Sequence, residues 1–368
     1  MSRSNFELDL VEMATSARLV PDPSETADLA SADRESPHPV SNGIERDGIL
    51  VPEHFVPTPT TISAPAQAIL RAMPHVGGGV RPASRDDVEG WRAYRAHLDA
   101  GMLRVSKPYA TRYPADVVTH QLSASQLYEV TPKDLAPENS DLALIYIHGG
   151  GFMVGGGDAA MYPAMQLAGM ARCKVYSVDY RLVPDVTFPA PLDDCLEAYN
   201  FVLALHEAQN VSVFGPSAGA NLAAAMILKA RDLGVPMPAA CAMHSCPSDM
   251  TNWGDSGYTN DTVDIFLRHV SFEFMTDYVG GHQPKDPYLS PVYADFTKGF
   301  PPSILSSGTR DLLLSSTVRL HRAMLRDGVK AELHVWEAMA HAPFYNAPEG
   351  EELYLQNINF MLGNMKRA

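Results

Sequence analysis

Short apolar runs separated by helical patterns dominate the chain from about residue 116 onward. The runs that are nearly all apolar lie at 142–147, 174–180, 210–214, 240–244, 303–307 and 332–336. Runs of this length and composition are typical of strands that are covered on both faces. Two further segments, 116–122 and 126–130, favour a hairpin at the start of the sheet.

Segments with helical periodicity lie between these runs, at 191–207, 218–233, 315–327 and 350–364. Strands that alternate with helices indicate an α/β fold, with a mostly parallel central sheet and helices on both faces. No internal repeat is visible in the sequence. The pattern therefore favours one sheet-based unit over an array of small modules.

Two more helical patterns precede the first strand. One spans 62–73, and the other spans 88–98 behind Ser84 and Asp87, whose spacing approaches a capping box. Because these helices come before the sheet begins, we expect them to lie outside it as part of a helical cap.

The remaining segments complete the predicted organisation. Residues from about 20 to 60 are rich in Pro, Ser, Asp and Glu and have little apolar periodicity, so we expect 1–60 to be an extended or partly disordered arm. An arm that wraps the body or reaches a partner subunit is the alternative. We expect cap helices at 61–110, an α/β domain at 111–247 and 291–368, and a second cap segment in the aromatic-rich insertion at 248–290. A peripheral helical pair that buries its own apolar side is the alternative interpretation of this insertion.

Charge and cysteine content restrict the partners. The chain has 43 acidic and 28 basic residues and a formal net charge of −15, so its surface repels nucleic acid and anionic membranes. The four cysteines form neither a CxxC pair nor a zinc spacing, which favours buried free thiols and no metal site. A secretory signal and an apolar span of about 18 residues are both missing from the sequence, so a cytoplasmic location is expected.

The candidate nucleophile lies in the motif Gly215-Pro216-Ser217-Ala218-Gly219, between an apolar run and an Ala-rich helical segment. A serine on a sharp turn from strand to helix projects above the sheet and is known as a nucleophile elbow. Gly215 and Gly219 allow that turn to close, and the helix N-terminus favours developing negative charge. We therefore expect Ser217 to be catalytic.

A glycine-rich loop at 148–152 follows another apolar run. Acyl transfer from an ester passes through an oxyanion, which needs fixed N–H donors. Gly150 and Gly151, together with Ala218 after the nucleophile, are the candidate donors, and His148 and Gly149 are expected to support the loop. A flexible loop is the alternative; a phosphate cradle is disfavoured because the motif lacks a following Gly-Lys-Ser/Thr.

A serine needs a base, and the base needs an orienting acid. Asp311 follows the run at 303–307, and His341 follows the last run, at 332–336. The order nucleophile, acid, base along the chain is one of the known arrangements. The alternatives for the acid are Asp249, Asp255 and Glu337. Among the other histidines, we expect His148 to hold its loop and His244 to pack in the core. His206, His321 and His334 are expected on the surface.

These motifs together resemble the hormone-sensitive-lipase-like family of α/β-hydrolases, which includes many bacterial esterases. The resemblance covers roughly residues 60 to 365 and rests on five motifs in the family order, at 148–152, 179–190, 215–219, 308–312 and 341–344. It implies an α/β-hydrolase fold with a helical cap, oxyanion donors at Gly150, Gly151 and Ala218, and an enzyme without cofactor or metal. It also implies a monomer or homodimer.

Four departures from the family pattern lie at or near its motifs, one of which is an extra residue before Phe344 in the segment His341-Ala342-Pro343-Phe344. Pro216 stands where the family usually has Asp, Ala220 where it has Gly, and Asp185 where it has Glu. The triad residues are retained, so the expected activity is hydrolysis of small to medium hydrophobic carboxylic esters through an acyl-enzyme. A lactone hydrolase with the same triad is the alternative, and a non-catalytic receptor for small ligands on the same fold is a further one that His341 disfavours.

Overall fold

The computed structural model describes residues 55–72, 82, 84, 86–268 and 273–366. Its centre is an eight-stranded sheet in the order β1-β2-β4-β3-β5-β6-β7-β8. The strands are β1 Ala115–Gln121, β2 Gln126–Pro132, β3 Ala143–Ile147, β4 Lys174–Asp179, β5 Val211–Pro216, β6 Ala240–His244, β7 Ser303–Gly308 and β8 Ala331–Trp336. Strand β2 is antiparallel to both neighbours, and every pair from β4 to β8 is parallel. The mostly parallel sheet predicted from the apolar runs is confirmed.

The strand at the centre of the sheet explains why its sequence is so apolar. Every residue of β3 is buried, because β4 and β5 pair with it on either side and helices cover both faces. Strand β8 lies at the edge, and its residues are half-buried or exposed. The predicted hairpin is also confirmed, with Ala115 opposite Pro132 and Gln121 opposite Gln126.

Helices cover both faces of the sheet, as predicted. They are α1 Ala64–Ala72, α2 Val88–Ser106, α3 Tyr109–Arg112, α4 Asp158–Ala171, α5 Ala190–Leu203, α6 Ala218–Asp232, α7 Ser256–Thr259, α8 Glu273–Val279, α9 Leu314–Arg326 and α10 Pro348–Asn364. The buried side chains of α5, α6 and α9 belong to one core cluster, and those of α10 and most of α4 belong to a second. The described residues from Thr58 onward form one compact unit around these two cores.

Helix α4 was not expected from the sequence. Its buried positions include several alanines, which give a weak apolar stripe, and Pro163 lies inside it. Proline removes a backbone donor and normally argues against a helix interior. Tertiary packing on the sheet overrides that preference here, since eight residues of the helix are buried.

The insertion at 248–290 is irregular and contains the short helices α7 and α8, with residues 269–272 outside the described ranges. Its aromatic residues Trp253 and Tyr278 are almost completely buried, and both belong to the core cluster that covers one face of the sheet. The insertion therefore packs into the body of the protein, and its function as a cap stays a prediction.

The segments before the sheet lie partly within the described residues. Helix α1 is tied to α10 where Ser63 donates hydrogen bonds from its backbone and hydroxyl to Glu349. Helix α2 begins at Asp87, whose side chain accepts a hydrogen bond from Gly90. Most of the predicted arm at 1–60 falls outside the described residues.

The structure bears on the expectations for the cysteines and for membrane-spanning helices. All four cysteines are buried and free, as predicted; they are Cys173, Cys195, Cys241 and Cys246. Among residues 55–72, 86–268 and 273–366, no helix is both long and apolar enough to span a bilayer.

Candidate active site

Ser217 lies on the sharp turn between β5 and α6. Its backbone has φ 55° and ψ −126°, a left-handed conformation that non-glycine residues rarely adopt. The turn closes because Gly219 lies against the end of β3, where a Cβ atom would be 1.9 Å from the carbonyl oxygen of Ile147. A hydrogen bond of 2.8 Å from the N–H of Ser217 to the carbonyl of His244 fixes the turn from the other side.

His341 lies on the loop between β8 and α10 and faces Ser217. The distance from its Nε2 atom to Oγ of Ser217 is 2.9 Å, within hydrogen-bonding range, although the two residues are 124 positions apart. The imidazole is largely shielded, with 13% of its side chain exposed. This is the geometry that a general base needs in order to take the serine proton.

Asp311 lies on the loop after β7 and is completely buried. Its Oδ1 atom is 3.6 Å from Nδ1 of His341, which is too long for a hydrogen bond. Ser245, at the end of β6, fills this position instead, because its hydroxyl oxygen is 2.6 Å from the same Nδ1 atom. The predicted acid and base therefore lie together, with a second serine hydroxyl beside them.

Several donors surround the Asp311 carboxylate. The hydroxyl of Ser307 donates to Oδ2, and the N–H of Leu313 donates to Oδ1 at 2.8 Å. Burial alone would raise the pKa of Asp311, but the nearby charge of His341 and hydrogen bonds from Ser307 and Ser245 hold it below its usual value. Asp311 is therefore an anion at neutral pH, able to stabilise a positively charged imidazole.

The glycine loop at 148–152 approaches the elbow from β3. Gly150 has φ +113°, and a Cβ atom there would be 2.2 Å from the carbonyl oxygen of Val154, so the loop conformation requires glycine. Within the described part of the chain, no protein acceptor takes a hydrogen bond from the N–H of Gly150, Gly151 or Ala218. These N–H groups are free to bind an anionic ligand atom.

His148 supports this loop from the inside. Its ring is fully buried, stacks on Tyr180 with centroids 4.1 Å apart, and has Nδ1 2.7 Å from the carbonyl oxygen of Gly149. The hydroxyl of Tyr180 donates to the carbonyl of His148 at 2.9 Å. Burial lowers the pKa of His148, so the ring is neutral and holds the loop.

The insertion contacts the same glycine loop. Tyr278 of α8 stacks on Phe152 with ring centroids 3.8 Å apart and an interplanar angle of 4°. Phe152 has φ 64°, and this stack holds the ring of a strained residue. Since Tyr278 is also buried in the core, it supports the glycine loop through this stack.

Two buried residues near the triad were not assigned to it from the sequence. His244 was expected to pack in the core, and it is buried there, but its Nε2 atom is also 3.2 Å from the carbonyl oxygen of His341. Asp264, in the insertion, accepts a hydrogen bond of 3.3 Å from the N–H of His341. The sequence carried a weak signal for His244, which is a polar residue within an otherwise apolar run, and none for Asp264, which follows the polar residues Asp261 and Thr262.

The alternative acids lie elsewhere. Asp249 is bound by Arg319 at 2.7 Å, and Glu337 accepts a hydrogen bond from the hydroxyl of Thr61. Asp255 precedes α7 and interacts there through its backbone carbonyl.

Among the described residues, no group of three or more His, Cys, Asp or Glu side chains has the arrangement of a metal site.

Comparisons with known proteins identify the family of the chain. A family model described as the alpha/beta hydrolase fold matches residues 144–345. An acetyl-hydrolase from Streptomyces hygroscopicus is 31% identical over 231 residues, which cover 62% of this chain and 75% of that protein. An esterase from Acinetobacter venetianus is 27% identical over 228 residues, which cover 60% of this chain and 74% of that protein.

Solved structures give longer matches. The crystal structure of an esterase, E25, superposes with a TM-score of 0.80 and 30% identity, covering 87% of this chain and 100% of that chain. An esterase from the bacterial hormone-sensitive lipase family superposes with a TM-score of 0.70 and 27% identity, covering 83% of this chain and 99% of that chain. This chain therefore belongs to the α/β-hydrolase fold family, in the group of esterases related to hormone-sensitive lipase.

Proposed function

We propose that the protein is a serine hydrolase of small to medium carboxylic esters, with Ser217, His341 and Asp311 as its triad. The observation that carries the proposal is the 2.9 Å contact between Nε2 of His341 and Oγ of Ser217, at a strained elbow on a helix N-terminus. The names of its relatives, acetyl-hydrolase and esterase, agree with a carboxylic ester as substrate.

In the first step, Oγ of Ser217 attacks the ester carbonyl while His341 takes its proton. The carbonyl oxygen becomes an oxyanion, which the N–H groups of Gly150, Gly151 and Ala218 bind. Removing one such donor from a serine hydrolase costs about 3–4 kcal/mol of transition-state stabilisation. Protonated His341 then gives its proton to the leaving alcohol, and an acyl-enzyme remains.

In the second step, water attacks the acyl-enzyme and His341 acts again, first as base and then as acid. The base form must carry its proton on Nδ1, so that Nε2 is free to accept. The hydroxyl of Ser245 accepts a hydrogen bond from the N–H at Nδ1 and donates a hydrogen bond to Asp311, which links the ring to the carboxylate across the 3.6 Å gap without moving a proton. Ser245 is thereby a positioning residue of the proposed triad.

The test is turnover of p-nitrophenyl esters from acetate to octanoate, alongside a panel of lactones. We expect the wild-type protein to hydrolyse the esters and Ser217→Ala to lose at least about 1,000-fold in kcat. A Ser217→Ala variant that keeps most of its activity would refute the proposal. Turnover of lactones alone would favour the alternative cyclic substrates over linear esters.

A further inference from the structure

A buried carboxylate beside the proposed triad takes no part in the steps above. Asp264 lies in the insertion and its side chain is fully buried. Its Oδ2 atom accepts hydrogen bonds from the N–H of Leu312 at 2.8 Å and from the N–H of His341 at 3.3 Å. Because Leu312 directly follows Asp311, a single oxygen atom joins the loop of the acid to the loop of the base.

The other oxygen of Asp264 is fixed by its own segment. Oδ1 accepts hydrogen bonds from the N–H of Phe266 at 2.8 Å and of Leu267 at 3.1 Å. Both oxygens are thus surrounded by donors, which is the environment of an ionised carboxylate. The side chain cannot turn away from the two loops without losing the bonds to its own segment.

We propose that Asp264 is a positioning residue for the acid and the base, because its ionised carboxylate holds the loops of Asp311 and His341 at a fixed distance from each other. Turnover then requires that Asp264 be ionised. The proposal rests on the triad proposed above. It also assigns the insertion a positioning function, as the segment that sets the distance between these two loops.

The surroundings of Asp264 make this ionisation sensitive to pH. Burial and the neighbouring carboxylate of Asp311 raise the pKa of Asp264 to about 6, against the attraction of His341. Those two titratable groups face it from the loops after β7 and β8, while backbone N–H groups of Phe266 and Leu267 face it from the insertion. A proton on Asp264 would turn one of its acceptors into a donor that points at other donors.

Two protonations then inactivate the enzyme on the acid side. One is on the imidazole of His341, which must be free of the proton to act as a base, and the other is on Asp264. For two such groups, log(kcat/KM) approaches a slope of two against pH on the acid side of both protonations, whereas a single group gives a slope of one.

The experiment compares pH profiles of kcat/KM for p-nitrophenyl acetate in the wild type, Asp264→Asn and Asp249→Asn. Asp249 is a matched control, since it is a buried aspartate of the same insertion whose partners include Thr251, Tyr293 and Arg319. We expect a slope of two for the wild type and Asp249→Asn, and a slope of one for Asp264→Asn. Misplacement of the loops should also lower kcat of Asp264→Asn about 10- to 100-fold at pH 8, with KM within twofold.

Two results would overturn the proposal: a wild-type slope of one, or an Asp264→Asn variant with wild-type kcat. If Asp264→Asn fails to fold, the pH profile of kcat/KM for the wild type still tests the proposal, because it needs no substitution. Ser217→Ala separates this proposal from the triad. Activity in Ser217→Ala refutes the triad, whereas an inactive Ser217→Ala together with a fully active Asp264→Asn refutes only the function of Asp264.

Discussion

Removal of the Ser245 hydroxyl is predicted to lower kcat through the loss of a single hydrogen-bonding atom. The substitution Ser245→Ala removes the 2.6 Å contact with Nδ1 of His341 and leaves the carboxylate of Asp311 3.6 Å away. The imidazole is positively charged in the transition state, and a hydrogen bond to a charged group contributes about 1.5–3 kcal/mol. That loss corresponds to a kcat about 10- to 150-fold lower. KM should stay near the wild-type value, because Ser245 contacts the ring nitrogen that faces away from Ser217.

The assay is steady-state hydrolysis of p-nitrophenyl acetate at pH 8, with thermal unfolding recorded for each variant. Ser245 has φ 50°, so Ser245→Gly removes the same hydroxyl while relieving the backbone strain. We expect the Ala and Gly variants to lose similar amounts of kcat, although Gly should be the more stable. Ser177→Ala is the control, since it removes a buried hydroxyl that donates to Ala160, remote in the sequence from the triad.

A Ser245→Ala variant within twofold of the wild-type kcat would refute this reasoning. It would mean that Asp311 alone orients the imidazole and that the serine hydroxyl is a packing contact. Recovery of activity in Ser245→Gly but not in Ser245→Ala would instead assign the effect to the backbone.

Two further predictions concern the frame of the site. Gly219→Ala should lower the free energy of unfolding by about 3 kcal/mol or more, because its Cβ would be 1.9 Å from the oxygen of Ile147. The control is Gly363→Ala, in open space within α10, which should leave the free energy of unfolding unchanged or raise it slightly. Equal urea midpoints for the two variants would contradict this prediction. Burial, with the charge of His341, lowers the pKa of His244 from 6.5 to about 4. Its folded-state pKa lies below the unfolded value, so its contribution is present above pH 6.5 and about 3 kcal/mol is lost as the pH falls to 4. Urea unfolding at pH 7 and pH 4.5 should show a larger fall for the wild type than for His244→Gln, and equal falls would argue against a buried neutral histidine.

The sheet was predictable because its physical signal is local. Strands β3 and β5 are buried along their length, and that burial requires consecutive apolar residues that are visible in the sequence. The ends of such strands are also visible, which is why Ser217, Asp311 and His341 were found as candidates. Their roles stay predictions until the variants are measured, but the structure brings all three side chains together.

The missed features have signals that are weak or non-local. Helix α4 contains Pro163 and many alanines, so its periodicity is faint. Ser245 and Asp264 lie 96 and 77 positions from His341 along the chain. A single serine or aspartate does not indicate which distant loop it contacts, and only the folded chain shows that both touch the proposed base.

The most direct test of the central claim is covalent labelling of the wild-type protein with a fluorophosphonate probe, read by mass spectrometry of the digested peptides. The account predicts one adduct per chain, on Ser217, with loss of ester turnover in proportion to labelling. It also predicts no adduct at that peptide in Ser217→Ala and much slower labelling in His341→Ala. An adduct on a different residue, or full ester turnover by a protein already labelled at Ser217, would contradict it.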